Sequence, residues 1–344
     1  MLQTKLILLD GVPGSGKSTL AQTLLRHLRR QGIPARWWYE EDAAHPVYVF
    51  HDSASLRHIL AELSSGQHPH VVTRALAQWQ HFVDAVQAEE EVVLLDGCLF
   101  GYLTWSLFPL ALPAREIRAY LAAVERIIAP LAPCLLYLYQ DDLAASFRRV
   151  FASRGPTIER AYIRNVEESP YGALHGLRGF AGLVRYWADY RALTDAAFAA
   201  LPWDKIALET TSGAWQTYER RVLDVLDLPP ADTADGIGAG LPADLRRFVG
   251  AYRSIDDAPP ATCTVRLGDT GLLLDGMPEV WPDTRLVPTG PSVFDVASLP
   301  IEISFGGDTA GGADTMTVGA PEFLGGSIPK AFERERLDST DPSR

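Results

Sequence analysis

The stretch Lys5-Leu-Ile-Leu-Leu-Asp10-Gly-Val-Pro-Gly-Ser15-Gly-Lys-Ser-Thr19 decides the fold. An apolar run, a glycine-spaced turn, and then Leu20, Leu24, Leu25 and Leu28 on one helical face predict a strand over Lys5 to Leu9 and a helix over Ser18 to Arg30. Between them the pattern G-x-x-x-x-G-K-[ST] is complete, from Gly11 to Ser18. Gly11, Gly14 and Gly16 let the backbone curl so that successive N–H groups, through Ser15 and on to Thr19, face phosphate oxygens. The helix N-terminus adds its positive end. Lys17 is expected to reach the β- and γ-phosphates and the Ser18 hydroxyl to ligate Mg²⁺, with ATP (or GTP) as the nucleotide.

Working outward, short apolar runs alternate with longer amphipathic ones, the pattern of a parallel sheet wrapped by helices. Strands are expected at Ala35 to Tyr39, Glu91 to Leu95, Cys134 to Tyr139 and Lys205 to Glu209. Helices are expected at Val71 to Glu89, Arg115 to Ile128, Phe180 to Leu201 and Ala214 to Leu226. Val92-Val-Leu-Leu-Asp96 ends in an acid at the carboxyl end of a strand, where ligands gather in open α/β sheets, so Asp96 is the candidate for orienting the metal ion or its water.

Composition narrows the partners. With 344 residues and 47% hydrophobic content, the chain is long enough for two packed domains. The net charge of -12 argues against nucleic acid or an anionic membrane, both of which select for a basic face. Cys98, Cys134 and Cys263 are odd in number and lack metal-site spacing, which fits a reducing cytoplasm. The N-terminus runs straight into a strand without the pattern of a signal peptide. Gly97 to Ala114 carries no charge and approaches the length of a membrane span, but Pro109, Pro113, Gly97 and Gly101 break it, so a buried pocket wall is expected.

Residues 229–243, rich in Pro, Gly, Asp and Ala, read as a linker that closes a first domain of residues 1–228. Residues 244–336 hold short apolar runs at Thr262, Gly271, Arg285, Ser292 and Ile301, separated by Gly, Asp and Pro, and predict a small antiparallel β domain. From Arg253 onward there are 7 basic and 15 acidic side chains, so this part carries -8 of the charge. Residues 337–344 read as a disordered tail. A homo-oligomer is compatible with all of this.

With Asp10-Gly-Val-Pro-Gly-Ser-Gly-Lys-Ser-Thr19 followed by one α/β unit, the chain resembles the thymidylate-kinase-like P-loop kinases of nucleosides, nucleotides and small molecules, over roughly Leu2 to Leu228. The fold this implies is a kinase-type, Rossmann-like parallel sheet P-loop NTPase, here followed by the small antiparallel β domain. In such kinases an acid just after the second strand meets the acceptor and takes the proton of the attacking hydroxyl. In Tyr39-Glu40-Glu41-Asp42-Ala-Ala-His45, Asp42 is the first choice for that base, with Glu40, Glu41 and His45 as further acceptor contacts. The resemblance also implies that arginines after the fourth strand close over the transferring phosphoryl group: Arg149 and Arg154 first, with Arg148, Arg160 and Arg164 in reserve. It places the loop after Lys205 to Glu209 near the nucleotide's base. Glu167 to Gly179 is punctuated like a functional loop.

One departure is informative. Asp96-Gly97-Cys98 stands where these kinases commonly have Asp-Arg, and that arginine helps hold a nucleotide acceptor. Its absence points to a less charged acceptor, walled by the apolar segment that includes Tyr102 and Trp105. The leading expectation is therefore a Mg²⁺- and ATP-dependent kinase that phosphorylates a hydroxyl of a small, mostly uncharged metabolite or antibiotic-like molecule. Its rivals are a nucleoside or nucleotide kinase and a nucleotide-switched ATPase or binding protein.

Overall fold

The first strand, β1 (Leu6–Gly11), has no polar face: Leu6, Ile7, Leu8 and Leu9 are all fully buried, which is the signature of a strand covered on both sides. In the computed structural model, which describes residues 2–230, 244–255, 257, 259–307 and 312–335, β1 is the middle strand of a five-stranded sheet. Its neighbours are β3 (Val92–Asp96), apolar up to its closing acid, and β4 (Cys134–Tyr139), both buried almost throughout. With β2 (Ala35–Trp38) outside β3 and β5 (Asp204–Glu209) outside β4, the order is β2-β3-β1-β4-β5, all parallel.

The register places Leu9 opposite Asp96 and Gly11 opposite Leu138, so the acid ending β3 lies level with the turn leaving β1. That turn delivers α1 (Lys17–Arg30), which buries Leu20, Leu24 and Leu28. The remaining long helices are α2 (Ser53–Ser64), α3 (His68–Ala88), α5 (Ala114–Ile128) and α9 (Gly179–Ala200), with α10 (Trp215–Val225) closing the unit. The uncharged segment expected to wall a pocket is buried around the short helix α4 (Leu103–Leu107). Among the described residues no helix is long and apolar enough to cross a membrane.

Two helices follow β4, α6 (Leu143–Arg154) and α7 (Pro156–Glu168), with a short α8 (Pro170–His175) after them. The segment read as a functional loop is instead helix punctuation: the Ser169 hydroxyl accepts the N–H of Gly172 to cap α8, and Glu167 accepts the N–H of Gly179.

Contacts divide the chain into two compact units, Met1–Ala231 and Asp232–Arg344. The second is a closed barrel of eight antiparallel strands that follow each other around it in chain order: β6 (Gly250–Ser254), β7 (Thr262–Gly268), β8 (Gly271–Asp275), β9 (Thr284–Pro288), β10 (Val293–Val296), β11 (Glu302–Gly306), β12 (Thr315–Gly319) and β13 (Ala331–Arg334). Side chains alternate in and out, and the interior is packed with Phe248, Tyr252, Phe294, Phe305, Met316 and Phe332. Closure removes the exposed edges that five strands alone would leave. Of the stretches read as linker and tail, residues 231–243 and 336–344 lie outside the described ones.

Gly11 is where sheet and loop meet. It holds φ +145, and a Cβ there would sit 1.9 Å from the Leu138 carbonyl oxygen of the neighbouring strand. Gly11→Ala is expected to destabilise the first unit by at least about 2 kcal/mol, seen as a lower Tm by calorimetry on the full chain.

Candidate active site

Helix α1 begins without a cap. Gly16 precedes it with left-handed backbone, no side chain accepts its first N–H groups, and its first turn contains no acid. Asp52, Asp142 and Ser169, by contrast, cap α2, α6 and α8 with side-chain oxygens. A helix start with neither a side-chain cap nor an acid, behind a glycine-spaced turn, has the chemistry that suits an anion. Within that turn Gly14 lies against α6: a Cβ there would stand 2.3 Å from Cγ2 of Val150, so the helix after β4 packs directly on the loop.

Around it stand three carboxylates and one ammonium. Lys17 is buried, with its Nζ 3.7 Å from Glu40 Oε2. Burial alone lowers the affinity of Lys17 for its proton, but Glu40, Asp96 and Asp10 more than offset it, and its pKa lies above the ordinary lysine value. Asp10 is fully buried and accepts the N–H groups of Leu99 and Phe100, each at 2.9 Å, and of Gly11 at 3.2 Å. It thereby ties the segment after β3 to the start of the phosphate loop. Burial nevertheless drives its pKa up to about 6, against those bonds and Lys17, which pull it down.

Asp96 is fully buried too, and its pKa is raised, first by burial and then by the charge of Glu40. The Ser18 hydroxyl is near enough to lower it, yet neither carboxylate oxygen has a hydrogen-bond partner of good geometry. A hydroxyl and an orphaned carboxylate side by side suit a hard divalent cation such as Mg²⁺, which takes oxygen ligands and retains water and phosphate oxygens. Among the described residues no cluster of three or more His, Cys, Asp or Glu could hold a metal by itself.

The acids after β2 separate by role. Glu40 turns inward to Lys17, whereas Glu41 is exposed. Asp42 is buried, and its Oδ2 accepts the N–H of Tyr39 at 3.0 Å, so it closes a turn on its own chain. Gly97 explains the missing arginine: it holds φ +66, and a Cβ there would stand 2.3 Å from Glu40 Oε2. The site has a glutamate where the resemblance leads one to expect an arginine.

The arginines separate as well. Arg154, at the end of α6, and Tyr162 of α7 interact electrostatically, and Tyr162 also senses Glu40, Lys17 and Glu41. Arg149 is exposed and donates to the Gln140 side chain at 3.0 Å. Arg148 lies over the Phe180 ring at 5.1 Å, Arg160 donates to Thr157 at 3.1 Å, and Arg164 is exposed. Tyr162 and Asp10 are the members of the cluster that the motif reading missed.

The chain that follows Glu40, Glu41 and Asp42 lines a cavity of about 370 Å³, with Ala43, His45, Tyr48, Phe50, His51 and Gln78 among its walls. His45 is buried and stacked on Tyr48, with ring centroids 3.9 Å apart, and neither of its nitrogens has a partner. Burial lowers its pKa to about 3, so the imidazole is neutral at physiological pH. The Tyr48 hydroxyl donates to the Glu40 carbonyl at 3.0 Å, which links cavity and cluster. Tyr102 backs this wall, accepting the N–H of Val49 at 3.1 Å, while Trp105 stacks on Trp187 with its indole N–H unpartnered.

The fold and site define a P-loop α/β protein in which the strand bearing the acid lies directly beside the strand that leads into the loop. Solved structures with a similar chain path include deoxyadenosine kinase from M. mycoides with bound dATP (12% identity, 64% of this chain and 98% of that one, TM-score 0.36) and thymidylate kinase from Ehrlichia chaffeensis (10%, 65% and 98%, 0.37). A sugar kinase from Janibacter sp. HTCC2649 is a third (16%, 66% and 96%, 0.34). Likenesses this remote say nothing about what this chain acts on. No family model and no curated protein matches it.

Asp42 offers a test of the electrostatics. Its pKa is raised to about 6, chiefly by burial. An acid held above its unfolded value binds its proton more tightly when folded, so its ionisation costs stability as pH rises from about 4 to about 6. Asp42→Asn keeps an acceptor for Tyr39 and removes that cost. The variant is expected to be more stable by on the order of 2 kcal/mol at pH 8 and no more stable at pH 4, measured by denaturant unfolding at both pH values.

Proposed function

We propose that this chain is a phosphotransferase that moves the γ-phosphoryl group of ATP to a hydroxyl of a small, uncharged acceptor. The observation that carries the proposal is Glu40, half-buried, reaching the phosphate-loop lysine, Lys17, at 3.7 Å. The open N-terminus of α1 and Lys17 hold the triphosphate. Ser18 and Asp96 hold Mg²⁺, which when bound neutralises charge on the β- and γ-phosphate oxygens. Glu40 takes the proton of the acceptor hydroxyl as its oxygen bonds to the γ-phosphorus. The bond from that phosphorus to the bridging oxygen breaks, and ADP leaves. Arg154 offsets charge on the moving group, with Tyr162 beside it.

The acceptor class is read from the cavity lined by the chain after Glu40. Of its lining named above, Tyr48 and Phe50 are aromatic, Gln78, His51 and neutral His45 are polar, and none is an Asp, Glu, Lys or Arg. An uncharged ring compound rich in hydroxyls fits such walls, with Gln78 as a polar contact. A cytoplasmic location suits both the ATP supply and the three unpaired, buried cysteines.

The test is incubation with ATP, Mg²⁺ and a panel of sugars, aminocyclitols and nucleosides, read as a mass gain of one phosphoryl group. Glu40→Gln should lower transfer roughly 10²- to 10⁴-fold while ATP still binds. Lys17→Ala should lose both, and Asp42→Asn should stay active. Hydrolysis that no acceptor stimulates would defeat the transferase reading, and an active Glu40→Gln beside a dead Asp42→Asn would move the base to Asp42.

A further inference from the structure

The acids around Lys17 are not equally fixed. Asp10 is committed to the N–H groups of Gly11, Leu99 and Phe100, and Asp96 closes β3 and is fully buried. Glu40, of the three, follows its strand in a turn and keeps its side chain partly in water, 36% exposed against 8% for that of Lys17. Its backbone is nevertheless pinned. The Tyr48 hydroxyl donates to its carbonyl at 3.0 Å, and Asp42 closes the turn around it by accepting the N–H of Tyr39 at 3.0 Å. Gly97, at φ +66, leaves the place that the carboxylate takes, since a Cβ there would come within 2.3 Å of Oε2. From that place Oε2 stands 3.7 Å from Lys17 Nζ. Burial lowers the proton affinity of Lys17, and among the charges that more than offset it Glu40 is the strongest.

A carboxylate held there does for the ammonium what a phosphate oxygen would do. Both are anionic acceptors for the same N–H donors, and two anions brought together in a poorly solvated site repel. Glu40 and a triphosphate therefore compete for Lys17. Asp10 and Asp96 are fixed in the sheet, so Glu40 is the group able to yield.

On the donor-site reading above, we propose that Glu40 is a built-in competitor of the donor's phosphates: it occupies Lys17 until a triphosphate displaces it, and displacement releases its carboxylate to the acceptor. The donor binds before the base is free, so the site orders its own substrates. The same contact holds donor affinity below what the loop and its lysine would give without it.

Calorimetric titrations with ATP and with inorganic tripolyphosphate test this on the wild type, Glu40→Gln, Glu40→Ala and Glu41→Gln, with Mg²⁺ chelated so that the loop and its lysine alone are read. Both Glu40 variants are expected to bind both ligands more tightly than the wild type, by roughly 3- to 20-fold, the reverse of what losing a site residue ordinarily does. Glu41→Gln removes the same charge from the next, exposed residue and should change affinity by no more than about two-fold. No gain in either Glu40 variant would overturn the proposal. So would a gain in Glu41→Gln as large as theirs, which would assign the effect to net charge. If none of the four proteins binds either ligand, the donor-site reading falls and this proposal with it.

Discussion

One buried ammonium among three carboxylates organises the first unit. Lys17 has Asp10, Glu40 and Asp96 around it, and such a group is stable in the interior only when its partners are placed with care. The sheet does the placing. With β1 between β3 and β4, Asp10 and Asp96 arrive at the same edge, and Glu40 arrives from the end of β2 on the far side of β3. Burial, and after it the charge of Glu40, raises the pKa of Asp96, and Gly97 gives Glu40 room to enter. What the cluster lacks is positive charge, which a hard divalent cation beside Asp96 would supply.

How much of this was legible in the sequence depends on whether the signal was local. The phosphate loop was fully so, because spacing along nine residues encodes the curl and the donors; Asp96 followed from a strand that ends in an acid. The choice among Glu40, Glu41 and Asp42 was not, since three adjacent acids differ only in where the chain turns. That turn is set by Asp42 bonding back to Tyr39, which no periodicity reveals. The arginines teach the same point through helix geometry. Arg149 and Arg154 are five residues apart on α6, about 140° around it, so both cannot face one phosphoryl group. Only Arg154 reaches Tyr162, and through it the cluster.

The second unit was legible as antiparallel β and not as a barrel. Five of its strands stand out as short apolar runs, whereas Gly250–Ser254, Thr315–Gly319 and Ala331–Arg334 are short and carry few large apolar residues, and each is stabilised by its neighbours. Closure depends on pairing between the first and last strands, which lie some eighty residues apart in sequence. The acceptor cavity was hidden for a similar reason. His45 looked like part of an acidic loop, and its neutral, unpartnered state comes from burial against Tyr48.

The central claim is that Lys17, Ser18 and Asp96 form a site for a magnesium triphosphate. Its most direct test is calorimetric titration of the full chain with ATP, with Mg²⁺ present and with it chelated, on the wild type and on Asp96→Asn. The account predicts that ATP binds the wild type more tightly with Mg²⁺ than without, and that Asp96→Asn loses most of that difference. Binding that ignores Mg²⁺ in both proteins, or no binding at all, would contradict it.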